Sequence, residues 1–194
     1  MSDVFHDFDE EARKLFAALN LDPQRKQGYR DLDAIWRHPR TGGRVYVGNR
    51  TAASERAILT SHHITHVVNC TDSMPCFHER DPQMAYHRFH VSGWMLAIED
   101  VDDMPTVADF CRPVWAFVES AVERGEHVLI HCLAGAHRAG TTGVMWLMYR
   151  ENFDAERALQ AARLCRDIIQ PIGRLKRLLA RYDRALEMRR SAIT

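Results

Sequence analysis

Cys132 and Arg138 stand six positions apart in His131-Cys132-Leu133-Ala134-Gly135-Ala136-His137-Arg138, so a nucleophile and a permanently charged guanidinium share one short segment. The apolar run Val128-Leu129-Ile130 ahead of it reads as a buried strand, and Gly143-Val144-Met145-Trp146-Leu147-Met148 behind it reads as an apolar helix. A strand, a glycine-bearing loop and a helix start together make an anion site. Successive N–H groups of Leu133, Ala134, Gly135, Ala136 and His137 can converge on one point, and the helix N-terminus adds partial positive charge. The field that holds an anion there also favours the thiolate of Cys132. Arg138 offers a rigid fork matched to two phosphate oxygens. Nucleophile, oxyanion cradle and clamp are what attack on a phosphate ester requires.

Cysteine, five residues and arginine is a common spacing, and its plain reading is a core cysteine beside a surface arginine. The preceding strand, Gly135 inside the loop and the helix that starts near Arg138 all count against that reading.

The loop needs a scaffold, and the chain supplies one. Phe8, Ala12, Leu15, Phe16 and Leu19 recur at helical spacing and predict an amphipathic helix over residues 5–21. A turn cluster at 39–43 precedes the strand Val45-Tyr46-Val47. Further expectations are a helix at 52–61, strands at 64–69 and 86–91, and an irregular acidic segment at 93–104. Pro105 suits the first turn of a helix running to about Arg124, and helices follow over 140–151, 155–165 and 172–190. Strands alternating with helices predict an α/β fold, a mixed central sheet of about five strands with helices on both faces. Ligands in such sheets lie beyond the carboxyl ends of the strands, where this loop falls. Residues 1–43 read as an N-terminal helix and connecting segment packed on a catalytic domain at 44–190.

Of the 194 residues, 46% are hydrophobic and 27% charged, ordinary for one globular domain. A formal net charge of zero gives no overall field favouring nucleic acid, and no run is apolar enough for stable membrane insertion. Basic residues between Arg174 and Arg184 read as a solvated helix face. Five cysteines in unpaired spacing, without an apolar N-terminal leader, predict cytoplasmic thiols rather than a disulfide framework. Eleven histidines are scattered in no metal-ligand spacing, so neither metal nor cofactor is implied.

These motifs resemble the dual-specificity phosphatases of the cysteine-dependent protein tyrosine phosphatase superfamily. Val45-Tyr46-Val47-Gly48 looks like that family's opening strand, Ile64-Thr65-His66-Val67-Val68-Asn69-Cys70-Thr71 is similar to its next strand, and Met145-Trp146-Leu147-Met148 resembles the helix behind its loop. The resemblance spans roughly residues 44–185. It implies a metal-free hydrolysis of phosphorylated proteins, at tyrosine and at serine or threonine. Cys132 would form a phosphocysteine, and Arg138 with the amides from Leu133 to Arg138 would hold the equatorial oxygens. An aspartate about thirty residues before the cysteine would protonate the leaving oxygen. That distance falls among Asp100, Asp102 and Asp103; Asp102, with Pro105 three residues on, is preferred, and the other two stay as alternates. Following the strand directly, Gly93 takes the position where many members carry the aspartate.

Two features bear on how the site would work. Ala139 stands where the family usually has a hydroxyl that hydrogen-bonds the cysteine sulfur, which marks the chain as an atypical member and predicts slow breakdown of the intermediate. Cys70 occupies a position from which some relatives form a protective disulfide with the catalytic cysteine; its simpler reading is a small buried hydrophobe. His131 could donate within the site or merely pack in its strand. Neutral loop residues favour a phosphoprotein over a phosphoinositide substrate, and a phosphoprotein-binding scaffold with little turnover is the rival from another class. The oligomeric state is not encoded in any motif of the chain.

Overall fold

In the computed structural model, which describes residues 7–18, 29–98 and 103–191, five strands form one sheet. They are β1 (Leu32–Arg37), β2 (Arg44–Gly48), β3 (Ile64–Asn69), β4 (Ala85–Arg88) and β5 (His127–His131), in the spatial order β1-β2-β5-β3-β4. β1 runs antiparallel to β2, and every other pairing is parallel. The central strand β5 ends where the Cys132 loop begins, so the loop emerges at the carboxyl edge between β2 and β3.

Side chains alternate across this sheet and define two layers. Val45, Val47, Val68, Val128 and Ile130 face the larger core, which is filled by α5 (Met104–Val122), α6 (Arg138–Glu151), α7 (Ala155–Cys165) and α8 (Arg174–Ser191). Tyr46, Val67 and Leu129 face the smaller one, closed by α2 (Arg50–Ser54) and α3 (Arg56–Ser61). The mixed sheet with helices on both faces is therefore the fold the sequence predicts. Trp115 on α5 donates to the Tyr182 hydroxyl on α8 at 2.7 Å, which satisfies both polar tips inside the core.

Local departures have local causes. The helix expected at 52–61 is two, because Glu55 between them is extended (φ −87°, ψ 103°), and Asn49 caps the first by accepting from Ala52 N–H at 2.8 Å. β4 is shorter than the expected 86–91, since the chain turns through a 3-10 segment at Val91–Gly93 into one helical turn, α4 (Trp94–Ala97). The N-terminal helix α1 spans Phe8–Ala18, with Asp7 just before it; positions 5, 6 and 19–21 of the expected range lie outside the described residues. β1 lies in the stretch read as a connection, and it is an edge strand of the sheet. Among the described residues no helix is long and apolar enough to cross a membrane.

Candidate active site

Residues 132–137 wrap the carboxyl end of β5 and lead into α6, whose first residue is Arg138. Gly135 makes the wrap possible. Its φ is +67°, and a Cβ there would meet the Gly48 carbonyl oxygen at 2.5 Å, so only glycine lets the loop press on the end of β2. Gly143 does the same for the helix, since a Cβ there would lie 2.6 Å from Val47 and push α6 off the sheet.

Four loop carbonyls turn outward, each to a named donor. Leu133 accepts from Arg50 N–H at 3.0 Å and Ala136 from Gln170 N–H at 3.0 Å. Ala134 accepts from the Tyr29 hydroxyl at 2.6 Å and from Arg166 Nη2 at 3.1 Å, while Gly135 accepts from Arg166 Nε at 3.0 Å. A peptide whose carbonyl faces out presents its N–H to the other side. The N–H groups of Leu133 to His137 have no acceptor among the described residues. Together they form the positive concavity that an oxyanion needs.

Cys132 and Arg138 are brought together at this cup, 3% and 5% exposed. Burial works to lower the Arg138 pKa, but the negative charges of Cys132 and Asp9 outweigh it and raise the pKa on balance, so the guanidinium is always charged. Its Nη2 donates to the Asp9 carboxylate on α1, whereas its buried Nε has no partner among the described residues. Half of the fork is thus open. His137 closes the loop by pairing Nδ1 with the Gln170 carbonyl at 2.7 Å.

His131 is fully buried, and burial drives its pKa down to about 3 against a weaker opposing pull from the Cys132 backbone. The ring is neutral at physiological pH and lends the site no charge. Cys70 lies near enough to feel Cys132, and burial pushes its thiol up to about 12. Cys70 and Cys132 are both free thiols in this structure. No hydroxyl reaches the Cys132 sulfur among the described residues: Thr141 Oγ1 donates to the His137 carbonyl and Thr142 Oγ1 to that of Arg138, and buried Ala139 has none to offer.

Of the three candidate acids, Asp100 and Asp102 lie outside the described residues. Asp103 is the N-cap of α5 and accepts from both Thr106 N–H and Thr106 Oγ1, so its carboxylate is committed to the helix start. Gly93 sits in the turn after β4, where a Cβ would meet open space. Asp72 faces the same edge. Burial opposes its ionisation, yet hydrogen bonds from His90 and from Ser92 (2.8 Å) hold its pKa below the usual range, which suits an anchor and not a proton donor.

Three participants escape sequence reasoning. Asp9 and Phe8 reach the cup from α1, and Phe8 lies 5.9 Å from the Arg138 guanidinium and 5.7 Å from that of Arg174. Arg166, at the end of α7, braces the loop from behind and pairs with Asp33 on β1 at 2.7 Å. Nothing in the spacing of these residues signals the contacts: Asp9 meets Arg138, and Arg166 meets Asp33, across more than 120 positions, and Arg166 reaches the loop across about 30.

Residues 45–185 match the family model described as dual specificity phosphatase, catalytic domain. Among curated proteins, Dual specificity protein phosphatase MPK-4 of Drosophila melanogaster is 30% identical over 129 residues, covering 66% of this chain and 31% of that protein. Dual specificity protein phosphatase 1 of Arabidopsis thaliana is 26% identical over 144 residues, covering 74% of this chain and 68% of that one. The chain thus spans about a third of the Drosophila relative's length and about two thirds of the Arabidopsis one. The crystal structure of human DUSP28 superposes with a TM-score of 0.62 at 21% identity, over 81% of this chain and 96% of that one, a likeness of fold.

Proposed function

The chain belongs to the dual specificity phosphatase family, and from that premise we propose that it hydrolyses phosphate monoesters on phosphoproteins, at tyrosine and at serine or threonine. The Cys132 thiolate attacks phosphorus, and an S–P bond forms as the ester P–O bond breaks. Asp102 gives its proton to the leaving oxygen. Water then attacks the phosphocysteine, the S–P bond breaks, and the proton of the water passes to Asp102 while inorganic phosphate leaves. Throughout, Arg138 and the loop amides hold the three equatorial oxygens, over which the charge of the transferring phosphoryl group is spread in the transition state. The reaction needs no metal, because the loop itself supplies the positive field.

One observation carries the reading: four outward-facing carbonyls leave a ring of N–H groups around Cys132 and Arg138 without other acceptors among the described residues. A panel of phosphopeptides and phosphoinositides, run against the wild type and Cys132→Ser, tests it. Phosphopeptide turnover that Cys132→Ser abolishes is the expected result; turnover that survives the substitution rules out the nucleophile.

A second reading, a scaffold that holds phosphoproteins and turns over little, draws on the missing hydroxyl beside Cys132. Tight phosphopeptide binding by a wild type with no turnover favours it.

A further inference from the structure

The cup is covered from within the chain. α1 lies across the phosphate loop, with Ala12, 2% exposed, packed on the buried Ala134 and Ala136 and flanked by Leu133 and Ile168. One turn earlier, Phe8 joins the main core and presents its ring to the guanidinium groups of Arg138 and Arg174, and the carboxylate of Asp9 beside it accepts from Arg138 Nη2. Asp7 starts the helix by accepting from the N–H groups of Asp9 (3.0 Å) and Glu10 (3.1 Å), which fixes the register that aims Asp9 inward. A carboxylate on the catalytic fork holds the charge and hydrogen bond that a phosphoryl oxygen would take. Both cannot be there at once.

We propose that α1 is an intramolecular pseudosubstrate: Asp9 occupies the phosphoryl position on Arg138, and substrate enters only when α1 lifts from the loop. This rests on the phosphatase reading of the loop, and it adds a device that reading does not need. The grip is moderate by construction. Arg138 is nearly inaccessible, but the Asp9 side chain remains 38% exposed, so water keeps the ion pair reversible. Only one carboxylate oxygen engages, and Arg138 Nε stays without a partner among the described residues. A phosphate dianion can engage both edges of the fork and the loop amides as well, which gives it the advantage over Asp9 once α1 has opened. The apparent affinity of the closed protein for an oxyanion is reduced by the fraction of open molecules.

The test measures tungstate binding by calorimetry in the Cys132→Ser background, where no turnover intrudes. Asp9→Asn and Asp9→Ala should each bind tungstate about tenfold tighter than the parent, because the internal competitor has lost its charge. Ala12→Arg, which forces a long charged side chain against Ala134 and Ala136, should do the same by lifting the helix. Glu10→Gln, on the solvent side of α1 beside Lys14, should leave affinity unchanged. Tungstate affinities within twofold of the parent in both Asp9 variants and Ala12→Arg overturn the proposal. Turnover of an aryl phosphate by the corresponding variants with Cys132 intact separates the two readings. Tighter tungstate without turnover in any variant keeps the pseudosubstrate and removes the phosphatase. Equal turnover in wild type and Asp9→Asn, with unchanged tungstate affinity, does the reverse.

Discussion

Arg166 and Asp33 form a 2.7 Å ion pair whose side chains are 1% and 8% exposed, and the pair sits behind the phosphate loop rather than in it. Asp33 holds one guanidinium nitrogen, Nη1, which also reaches the Arg30 carbonyl at 2.9 Å; Nε and Nη2 are left to hold Gly135 and Ala134. Arg166 is a positioning residue: it fixes which way two peptide planes of the cup face. Arg166→Met removes the bonds to Gly135, Ala134 and Asp33 together and leaves Asp33 only its 2.6 Å ion pair with the exposed Arg30, so stability should fall by about 2 kcal/mol. Activity should fall further than stability explains, with kcat/KM down about a hundredfold at temperatures where the variant is folded, the scale of a misplaced oxyanion donor. Urea unfolding and steady-state kinetics on the same preparations measure both. A variant that loses stability but keeps kcat/KM would make the pair a purely structural one.

The same pair explains why some of this protein is hard to read from its residues. Most of the sheet follows from runs such as Val45-Tyr46-Val47 and Val128-Leu129-Ile130, whose alternation assigns faces directly. β1 does not alternate. Its register shifts between Ala34 and Trp36, and its burial runs two in, one out, so the period that marks a strand is broken. Asp33 also looks like a surface residue until its partner 133 positions away is known. The loop was legible because its chemistry is contiguous; Asp9 and Arg166 were not, because each acts through the folded chain. Residues 93–104 read only as acidic and irregular, whereas Trp94–Ala97 form a helical turn and Met104 begins α5; the structure distinguishes Asp103 by the hydrogen bonds its carboxylate accepts at that helix start.

That distinction can be measured. Asp102→Asn should slow hydrolysis of phenyl phosphate, a poor leaving group, by about a hundredfold or more, and affect an activated ester far less. Asp103→Asn keeps a side-chain oxygen for the cap and should leave both rates and stability close to wild type. Asp103→Ala should cost about 1 kcal/mol of stability through the lost cap. A leaving-group-dependent loss in Asp103→Asn instead would transfer the acid role to Asp103.

His131 predicts the pH dependence of stability. Its folded pKa of about 3 lies below the ordinary histidine value, because burial disfavours the charged ring. Between those two values the unfolded chain binds more protons than the folded one, so stability rises with pH across that window. Acidification below about pH 6.5 should therefore destabilise the protein, with the loss continuing towards pH 3. His66 and His87, also lowered by burial, act in the same direction. Urea midpoints at pH 5 and pH 7 should differ in the wild type, and the difference should shrink in His131→Phe. An unchanged difference would place the acid sensitivity elsewhere.

The second step of the proposed reaction proceeds without a hydroxyl donor at the Cys132 sulfur among the described residues, since Thr141 and Thr142 spend theirs on carbonyls of their own helix and position 139 is alanine. In the proposed mechanism the sulfur regains negative charge as the phosphocysteine breaks down, and a donor beside it would stabilise that transition state. Without one, breakdown should be slower than formation, and rapid mixing with an aryl phosphate should give a burst of phenolate near one equivalent. Ala139→Ser restores a donor at the first turn of α6, at the expense of a hydroxyl in a buried site. It should speed breakdown about tenfold, the worth of one charge-assisted hydrogen bond, and suppress the burst while raising kcat. Acid quenching followed by peptide mass measurement reports the phosphocysteine directly, high in wild type and low in Ala139→Ser. A wild type without a burst, and a variant no faster, would mean that the loop amides alone stabilise the departing thiolate and that the hydroxyl is dispensable in this site.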